Sequence, residues 1–278
     1  MQESDIKRLR LAISKRIKNL YSGRFLSKST SLRGSDFQEK RNFNMGDDPR
    51  AVNITSSIKE GRLKVTVKKA EKAANIFMVM DSSPSLLFGT TESKLSYTLN
   101  LASAVAIACL GDGNKIKFFT FTDKIEYAGN FVLTKQAVED EISSILKLKP
   151  SGSNSNLNIP LKKIHGFLEE KAFGKPNMVF LFSDFLFDIN FERALGGLAQ
   201  MTDIVAFCVR DEIETKLPCL RLGLVKLTDM ETGETVLARE SHDFLDRINK
   251  VMKRFGIDII EPNTYDETGK NLKKLAEL

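Results

Sequence analysis

From residue 76 onward, short apolar runs alternate with amphipathic segments. Near-continuous apolar runs such as "NMVFLFS" and "DIVAFCV" are typical of strands that are covered on both faces. The predicted strands are 76–81, 116–122, 125–129, 177–183 and 203–209. The predicted helices are 92–110, 134–148, 157–170, 190–201 and 240–255. This alternation favours an α/β fold with a doubly wound, mostly parallel sheet and helices on both faces.

The first 75 residues follow a different pattern. Residues 5–21 place apolar side chains at helical spacing between Lys and Arg, which predicts an amphipathic helix. Residues 22–37 are rich in Ser and Gly and predict a loop. Residues 51–57 and 62–70 alternate between apolar and polar positions, which predicts two short strands.

We therefore divide the chain into two parts. Residues 1–75 form a basic N-terminal extension made of a helix and β-structure. Residues 76–278 form the α/β domain, and within it "GLVKLTDMETGETVLA", residues 223–238, predicts a β-hairpin with its turn around "ETGE".

Charge separates the same two parts. The net charge of +6 combines a balance of +10 in residues 1–75, from 18 Lys and Arg against 8 Asp and Glu, with −4 in the remainder. A basic arm of this kind can bind nucleic acid. It can also wrap a slightly acidic domain or meet an acidic protein. We favour the second interpretation, because the basic residues are interleaved with apolar ones and carry no aromatic stacking pattern.

Composition also bears on the compartment. No apolar run reaches the length of a membrane helix, about 18 residues, and the first 20 residues lack the apolar core of a signal peptide. The three cysteines, Cys109, Cys208 and Cys219, have no paired spacing. We expect a cytoplasmic protein in a reducing compartment, with no membrane contact.

Oxygen-bearing side chains follow two of the predicted strands. Asp81, Ser83 and Ser85 come after the strand 76–81 in the order D-x-S-x-S, and Asp184 follows the strand 177–183. The loop "PSGSNSNLNIPL" between them contributes Ser155. Because ligands bind beyond the carboxyl ends of strands in open α/β sheets, we expect these five residues to converge.

The chemistry of these five residues favours a hard cation. Carboxylates and hydroxyls suit Mg²⁺, with Mn²⁺ as a possible substitute. If the hydroxyls bind the ion directly and the carboxylates bind through water, the ion stays under-neutralised and attracts an outside carboxylate. Each motif by itself would be a turn or a helix cap. Their ordered occurrence in three loops favours the metal site.

The spacing of Asp81, Ser83, Ser85, Ser155 and Asp184 resembles the metal-ion-dependent adhesion site of von Willebrand factor type A domains. The resemblance implies that two serines and a threonine contact the ion and that the two aspartates act mostly through water. Ser155 stands where the threonine is usual; it keeps the hydroxyl and lacks the methyl group.

Upstream motifs resemble the bacterial domain of unknown function 58 family. They are "RGSDF" at 33–37 and "RNFNMGDDPRAVNIT" at 41–55. The matching positions are Gly34, Phe37, Arg41, Gly46, Asp47, Asp48 and Arg50, and Glu71 follows downstream. Asn53 and Ile54 replace the aspartate–tryptophan pair of the family's signature.

The residues Arg41, Asp47, Asp48, Arg50 and Glu71 have two interpretations. They can lock a turn and anchor the N-terminal segment on the sheet, or they can contact a partner. The family resemblance also implies partners. Its members are typically encoded beside MoxR-type AAA+ ATPases and are thought to act with them in assembling or maturing protein complexes.

Three functions compete. The first is a non-catalytic, metal-dependent protein-interaction module, an adaptor that works with a MoxR-type AAA+ ATPase and a client offering an acidic side chain. The second is a Mg²⁺-dependent phosphohydrolase with Asp81 as nucleophile. The third is a nucleic-acid-binding protein that uses the basic extension. We expect no enzyme, because Ser83 stands where a haloacid-dehalogenase-type phosphatase needs a second Asp and "GDGNK" lacks P-loop spacing. His165 and His242 have no partner at metal-ligand spacing.

Overall fold

The structure is a computed structural model of the 278-residue chain. It describes residues 36–44, 52–69, 73–90, 92–111, 113–152, 154–171, 177–187, 189–211, 226–228, 235–237 and 240–261. The predicted helix at 5–21 lies outside these ranges.

A six-stranded sheet forms the centre of the molecule. Its strands are β3 (Asn75–Asp81), β4 (Lys115–Phe121), β5 (Ile125–Ala128), β6 (Asn177–Ser183), β7 (Asp203–Cys208) and β10 (Asp258–Ile260). Their spatial order is β10-β7-β6-β3-β4-β5. All neighbours pair in parallel except β4 and β5, which are antiparallel. The predicted α/β class with a mostly parallel sheet is confirmed.

The strand order reverses between β3 and β6. From β3 the chain moves to β4 on one side, and it later returns to β6 on the other side of β3. The two strands run in parallel register from Asn75 opposite Asn177 to Met80 opposite Phe182. Their carboxyl ends therefore flank the crevice in which open α/β sheets bind ligands.

Helices cover both faces of the sheet. They are α2 (Lys94–Cys109), α3 (Lys135–Leu146), α4 (Asn158–Lys171), α5 (Glu192–Ala199) and α6 (Glu240–Arg254). Each of these helices, and each predicted strand of the domain, has ends within two residues of the prediction. Ser93 and Thr134 begin α2 and α3 by accepting backbone hydrogen bonds from Ser96 and Ala137.

The core has one layer on each face of the sheet. Alternate residues of β3 point to opposite faces, so Ile76, Met78 and Met80 pack against α2 and α3. Phe77 and Val79 pack with α4, α5 and α6 on the other face. Because β3 is buried on both faces, every residue between Asn75 and Asp81 is apolar.

One prediction in the N-terminal part is wrong. Residues 51–57 were expected to form a strand, yet helix α1 spans Ile54–Glu60. Asn53 caps it by accepting a hydrogen bond from the Ser56 amide at 3.0 Å, and Gly61 ends it at a φ of 62°. These local caps outweigh the alternating pattern. Only Val52 makes a strand-like bridge among residues 52–57, opposite Val65.

Two strands, β1 (Asp36–Asn42) and β10, were not predicted from the hydrophobic pattern. Strand β1, at the end of the predicted loop, pairs antiparallel with β2 (Lys64–Lys69), which lies within the predicted strand 62–70. Its sequence, "DFQEKRN", has no apolar alternation, so its pairing depends on the partner strand. Strand β10 has three residues, and it aligns Asp258 with Val205.

Strands β8 (Lys226–Thr228) and β9 (Thr235–Leu237) pair antiparallel within the segment predicted as a hairpin. Cys109 and Cys208 are buried free thiols, and Cys219 lies outside the described residues. Across the described ranges, no helix combines the length and the apolar character needed to span a bilayer.

Candidate functional site

Asp81 is the last residue of β3 and is fully buried. Its Oδ1 accepts a hydrogen bond from the Ser83 amide at 2.9 Å. Its Oδ2 accepts two more, from Ser155 Oγ at 2.7 Å and Ser183 Oγ at 2.8 Å. Three segments that are distant in sequence therefore meet at one carboxylate.

Ser83 and Ser85 lie on the turn that follows β3. Ser83 has extended backbone angles and precedes a short 3-10 helix, Pro84–Leu87. The two hydroxyl oxygens are 3.0 Å apart. This is a hydrogen-bond distance, and it also equals the separation of adjacent oxygen ligands around an octahedral Mg²⁺, roughly 3.0 Å for Mg–O bonds of about 2.1 Å.

Asp184 follows β6, across the strand reversal from Asp81. Its Oδ2 is 2.8 Å from Lys94 Nζ, and both side chains are buried. Its Oδ1 accepts from the Leu186 amide at 3.2 Å, and the nearby Ser85 hydroxyl helps to lower the pKa of this carboxyl. Burial by itself would raise the pKa of Asp184, but Lys94 outweighs it and holds the pKa below its usual value.

The backbone after Asp184 adopts an uncommon conformation. Phe185 has a φ of 55°, in the left-handed region that residues other than glycine seldom occupy. Its side chain is fully buried, and its amide donates to Ser183 Oγ at 2.9 Å. Core packing and this hydrogen bond hold the strained residue in place. The turn thereby directs Asp184 and Ser183 to the same site.

Ser155 is held by a loop that docks on the end of β4. The Asn156 amide donates to the Thr122 carbonyl at 2.9 Å. Glu126 Oε1 accepts from the Gly152 amide at 2.9 Å and from Thr122 Oγ1 at 2.8 Å. Partial burial disfavours the charged form of Glu126, but these hydrogen bonds outweigh it and lower its pKa. A Cβ at position 152 would collide with Thr122, so only glycine fits there.

The electrostatics of the site favour a cation. Burial, followed by the neighbouring Asp184 carboxylate, raises the pKa of Asp81 to about 6. With both aspartates ionised and Lys94 protonated, these three side chains have a formal charge of −1. A divalent cation would relieve the repulsion between the carboxylates.

The donor set fits a hard ion. Ser155 and Ser183 donate their protons to Asp81, which leaves hydroxyl lone pairs free to face a metal. Within the described residues, no three or more His, Cys, Asp and Glu side chains gather in a cluster that could hold a metal. A site here would therefore depend on hydroxyls as well as carboxylates, which suits Mg²⁺ or Mn²⁺.

The structure thus links four of the predicted donors by hydrogen bonds and places the fifth beside them. Asp81 contacts Ser155 and the Ser83 amide, and Ser83 contacts Ser85. Asp184 lies close enough for its charge to raise the pKa of Asp81. We call Asp81, Ser83, Ser85, Ser155, Ser183 and Asp184 the oxygen cluster. Whether it holds a metal stays a prediction.

Three contributors to the site are not among the five residues predicted from the sequence. Ser183 was visible beside Asp184 at the end of a predicted strand, and that position could have identified it. Lys94 begins an apolar helix, and Glu126 lies in a short edge strand. Neither has a local signal, because their partners, Asp184 and the loop at Gly152, are distant in sequence.

A further contact supports the turn after Ser85. Thr90 donates to the buried Asp211 carboxylate through its amide at 2.9 Å and through its hydroxyl at 2.8 Å. This contact ties the turn after β3 to the segment that follows β7. The oxygen cluster is thereby bounded by anchored segments.

The other predicted residues lie elsewhere or outside the description. Asp47, Asp48, Arg50 and Glu71 are outside the described residues. Arg41 lies in β1 opposite Val65. The structural and partner-contact interpretations of this motif both stay predictions.

His165 belongs to a separate surface feature. It lies 3.6 Å from Glu169 in α4, and it lines a cavity of about 370 Å³ between α4 and α5. Lys162 and Arg193 also line this cavity, and no member of the oxygen cluster does. The cavity is therefore distinct from the candidate metal site.

Solved structures with the same fold exist. BatB from Bacteroides thetaiotaomicron aligns with a TM-score of 0.50 and 13% identity, over 74% of this chain and 100% of that one. An aerotolerance-related membrane protein from Bacteroides fragilis NCTC 9343 gives 0.50 and 13%, over 74% and 98%. A von Willebrand factor type A protein from Catenulispora acidiphila gives 0.46 and 10%, over 74% and 41%. The two Bacteroides structures share this mostly parallel α/β fold, which is the fold predicted from the resemblance to von Willebrand factor type A domains.

Two sequence relatives are described as uncharacterized proteins. A protein of Mycobacterium tuberculosis strain H37Rv and one of Mycobacterium bovis are each 26% identical to this chain over 204 residues. The match covers 72% of this chain and 62% of each relative, so the chain spans less than two thirds of their length. Residues 39–254 match the family described as "Protein of unknown function DUF58". The chain belongs to this family.

Proposed function

We propose that this chain is a non-catalytic protein-interaction module whose oxygen cluster binds Mg²⁺ and, through it, an acidic side chain of a partner. The observation that carries the proposal is the convergence of Ser155 and Ser183 on Asp81, beside the linked pair Ser83 and Ser85. The von Willebrand factor type A-like fold agrees with an interaction role.

The charges of the cluster suit the capture of a carboxylate. Asp81 and Asp184 bring two negative charges, and Lys94 already neutralises one of them. Bound at this cluster, a divalent cation would supply an open coordination position with net positive charge for a partner's carboxylate. The serine hydroxyls bind without adding charge, so they preserve that attraction.

Apolar side chains beside the cluster complete the proposed docking surface. Leu87 and Phe88 follow Ser85, and Leu186 follows Asp184. Leu87 is 56% exposed, and Leu186 is 40% exposed. Exposed large apolar residues next to a polar centre are typical of protein-binding surfaces. We therefore expect a partner that presents an Asp or Glu flanked by apolar residues.

The partner that the family resemblance implies is a MoxR-type AAA+ ATPase together with a client protein. In this proposal the chain acts as an adaptor during the assembly or maturation of protein complexes. The ATPase supplies the energy, and this chain supplies a metal-dependent contact with an acidic residue.

The phosphohydrolase alternative is less well supported. Both oxygens of Asp81 already accept hydrogen bonds, and the side chain is fully buried. Its hydrogen-bond partners are serines, which do not supply the second carboxylate that a phosphatase uses as acid and base. A buried and hydrogen-bonded Asp81 is better suited to orienting hydroxyl ligands than to attacking phosphorus.

Calorimetric titration of the full chain with Mg²⁺ tests the proposal. We expect binding to the wild type and a large loss in the Ser83→Ala/Ser85→Ala variant. Ser82→Ala is the matched control, because Ser82 lies in the same turn and donates to the Phe121 carbonyl instead of joining the cluster. Equal affinity in the double variant and the control, or no binding to the wild type, would contradict the proposal.

A further inference from the structure

Lys94 is a buried cation at the edge of the oxygen cluster. Its side chain is 1% exposed, and its ammonium lies 2.8 Å from Asp184 Oδ2. Lysine is seldom buried to this extent unless it is paired, because removing a charge from water is costly. The pairing with Asp184 is therefore the physical reason that Lys94 can occupy this position.

The position of Lys94 in its helix is also unusual. It is the first residue of α2, where the helix dipole disfavours a positive charge. Its amide donates to the Phe88 carbonyl at 2.9 Å, which ties it to the turn that carries Ser83 and Ser85. A Cβ at Gly89 would collide with the Glu92 carbonyl, so this turn is tightly closed. The same short segment thus presents two hydroxyl donors and one ammonium to the cluster.

We propose that Lys94 is a built-in cation of the metal site that competes with Mg²⁺ for Asp184 and gives the loaded site its surplus positive charge. This inference rests on the proposed metal-binding function and adds a residue that the adhesion-site resemblance does not contain. Without metal, Lys94 neutralises Asp184 and allows the fold to form. With Mg²⁺, the formal charge of Asp81, Asp184, Lys94 and the ion is +1.

The surplus charge couples the two ligands. The empty site has a formal charge of −1 with Lys94 and would have −2 without it, so Lys94 weakens the attraction for Mg²⁺ when no partner is present. A carboxylate from a partner brings the total charge to zero and removes this penalty. Metal and acidic partner therefore each strengthen the binding of the other, because the coupling between two ligands is reciprocal.

The test compares the Mg²⁺ affinity of wild type and Lys94→Met, measured by calorimetry on the full chain. Met has a similar length and no charge. We expect Lys94→Met to bind Mg²⁺ roughly tenfold more tightly or better, because the cation–cation repulsion is gone. Lys94→Arg, which keeps the charge, should resemble the wild type. Addition of acetate should tighten Mg²⁺ binding more in the wild type than in Lys94→Met.

A second variant guards against misfolding. Lys94→Gln keeps a hydrogen-bond donor for Asp184 and removes the charge, so it tests the same effect with less disruption. In both neutral variants the rise in melting temperature on adding Mg²⁺ should exceed that of the wild type, since the ion then replaces the missing countercharge. Affinity in both neutral variants that is equal to or weaker than the wild-type value would overturn the inference.

The outcomes separate this inference from the proposed function. If the wild type binds Mg²⁺ and the neutral variants gain nothing, the role of Lys94 is wrong and the metal-binding module stands. If only the neutral variants bind Mg²⁺, Lys94 competes with the ion as proposed. The proposal that the wild type is a metal-dependent module is then wrong. If none binds, both proposals are overturned.

Discussion

The hydroxyl of Ser155 donates a 2.7 Å hydrogen bond to Asp81, 74 residues earlier in the chain. This contact joins the loop before α4 to the end of the central strand β3. It orients the hydroxyl so that its proton faces the carboxylate and its lone pairs face away. The pair therefore provides the most direct way to test whether the cluster binds metal through hydroxyl oxygens.

Replacing Ser155 should separate the roles of the hydroxyl and the methyl group. We expect Ser155→Ala to lower Mg²⁺ affinity about tenfold or more, and Ser155→Thr to keep it, because Thr retains the donor oxygen. Calorimetry measures both. Ser143→Ala is the control, since its exposed hydroxyl donates to the Glu139 carbonyl within α3. Equal affinity in Ser155→Ala and the control would contradict a ligand role.

Stability should depend on the ionisation of Asp81. The folded-state pKa of about 6 lies above the ordinary value of 3.8, so the folded protein holds this proton more tightly than the unfolded chain. The contribution of Asp81 to the free energy of unfolding is therefore fully present below pH 3.8 and is lost as the pH rises through 6. The loss is on the order of 3 kcal/mol. Metal-free denaturant titrations of wild type and Asp81→Asn should show this component in the wild type only.

The same ionisation predicts proton-linked metal binding. Mg²⁺ favours the ionised carboxylate, so its affinity should fall as the pH drops below about 6. Calorimetry at pH 5.5 and pH 7.5 in buffers of different ionisation enthalpy would detect the released proton. An affinity that does not change between these two pH values would argue against the participation of Asp81.

Glu126 should act on the metal site by positioning Ser155. Glu126→Ala removes the acceptor for the Gly152 amide and Thr122. We expect a several-fold loss of Mg²⁺ affinity, with rescue by Glu126→Gln, whose side-chain oxygen still accepts. Calorimetry measures the affinity, and Glu139→Ala on the exposed face of α3 is the control. A loss of melting temperature without a change in affinity would indicate a structural role alone.

The apolar rim should matter for partners and not for metal. Leu87→Ser and Leu186→Ser should reduce the chelator-sensitive retention of partner proteins on the immobilised chain and leave Mg²⁺ affinity unchanged. Leu146→Ser is the matched control, because Leu146 is 62% exposed at the end of α3. Retention equal to that of the control would place the partner surface elsewhere.

A non-catalytic module should not turn over phosphate esters. We expect no hydrolysis of p-nitrophenyl phosphate above background with Mg²⁺ or Mn²⁺. Asp81→Asn is the control for a contaminating phosphatase, whose activity would survive this substitution. Robust hydrolysis by the wild type that disappears in Asp81→Asn would favour the phosphohydrolase alternative.

The local periodicity of apolar residues was sufficient to predict the strands and helices of the α/β domain. Strands buried on both faces require continuous apolar runs, and the helices between them carry polar caps such as Ser93 and Thr134. These patterns depend on neighbours in sequence, so they predicted each strand and helix of the central layers to within two residues, apart from the three-residue β10. The same order of elements indicated that Asp81 and Asp184 would meet, because parallel strands end at one edge.

Elements without that periodicity needed the tertiary structure. The strand β1 has a charged sequence and exists through its pairing with β2. The helix α1 depends on Asn53 as its cap, although its residues alternate like a strand. Here specific hydrogen bonds outweighed the average preference of the sequence.

The sequence by itself determined that the sheet is covered on both faces. It also determined that Asp81, Ser83, Ser85, Ser155 and Asp184 lie at one edge of this sheet. Only the tertiary structure decided how their charges are balanced. Lys94 neutralises Asp184, 90 residues away, because the fold removes both from water and places them 2.8 Å apart. This compensation of charge depends on distance in space and on burial, and neither quantity can be predicted from the local pattern of residues.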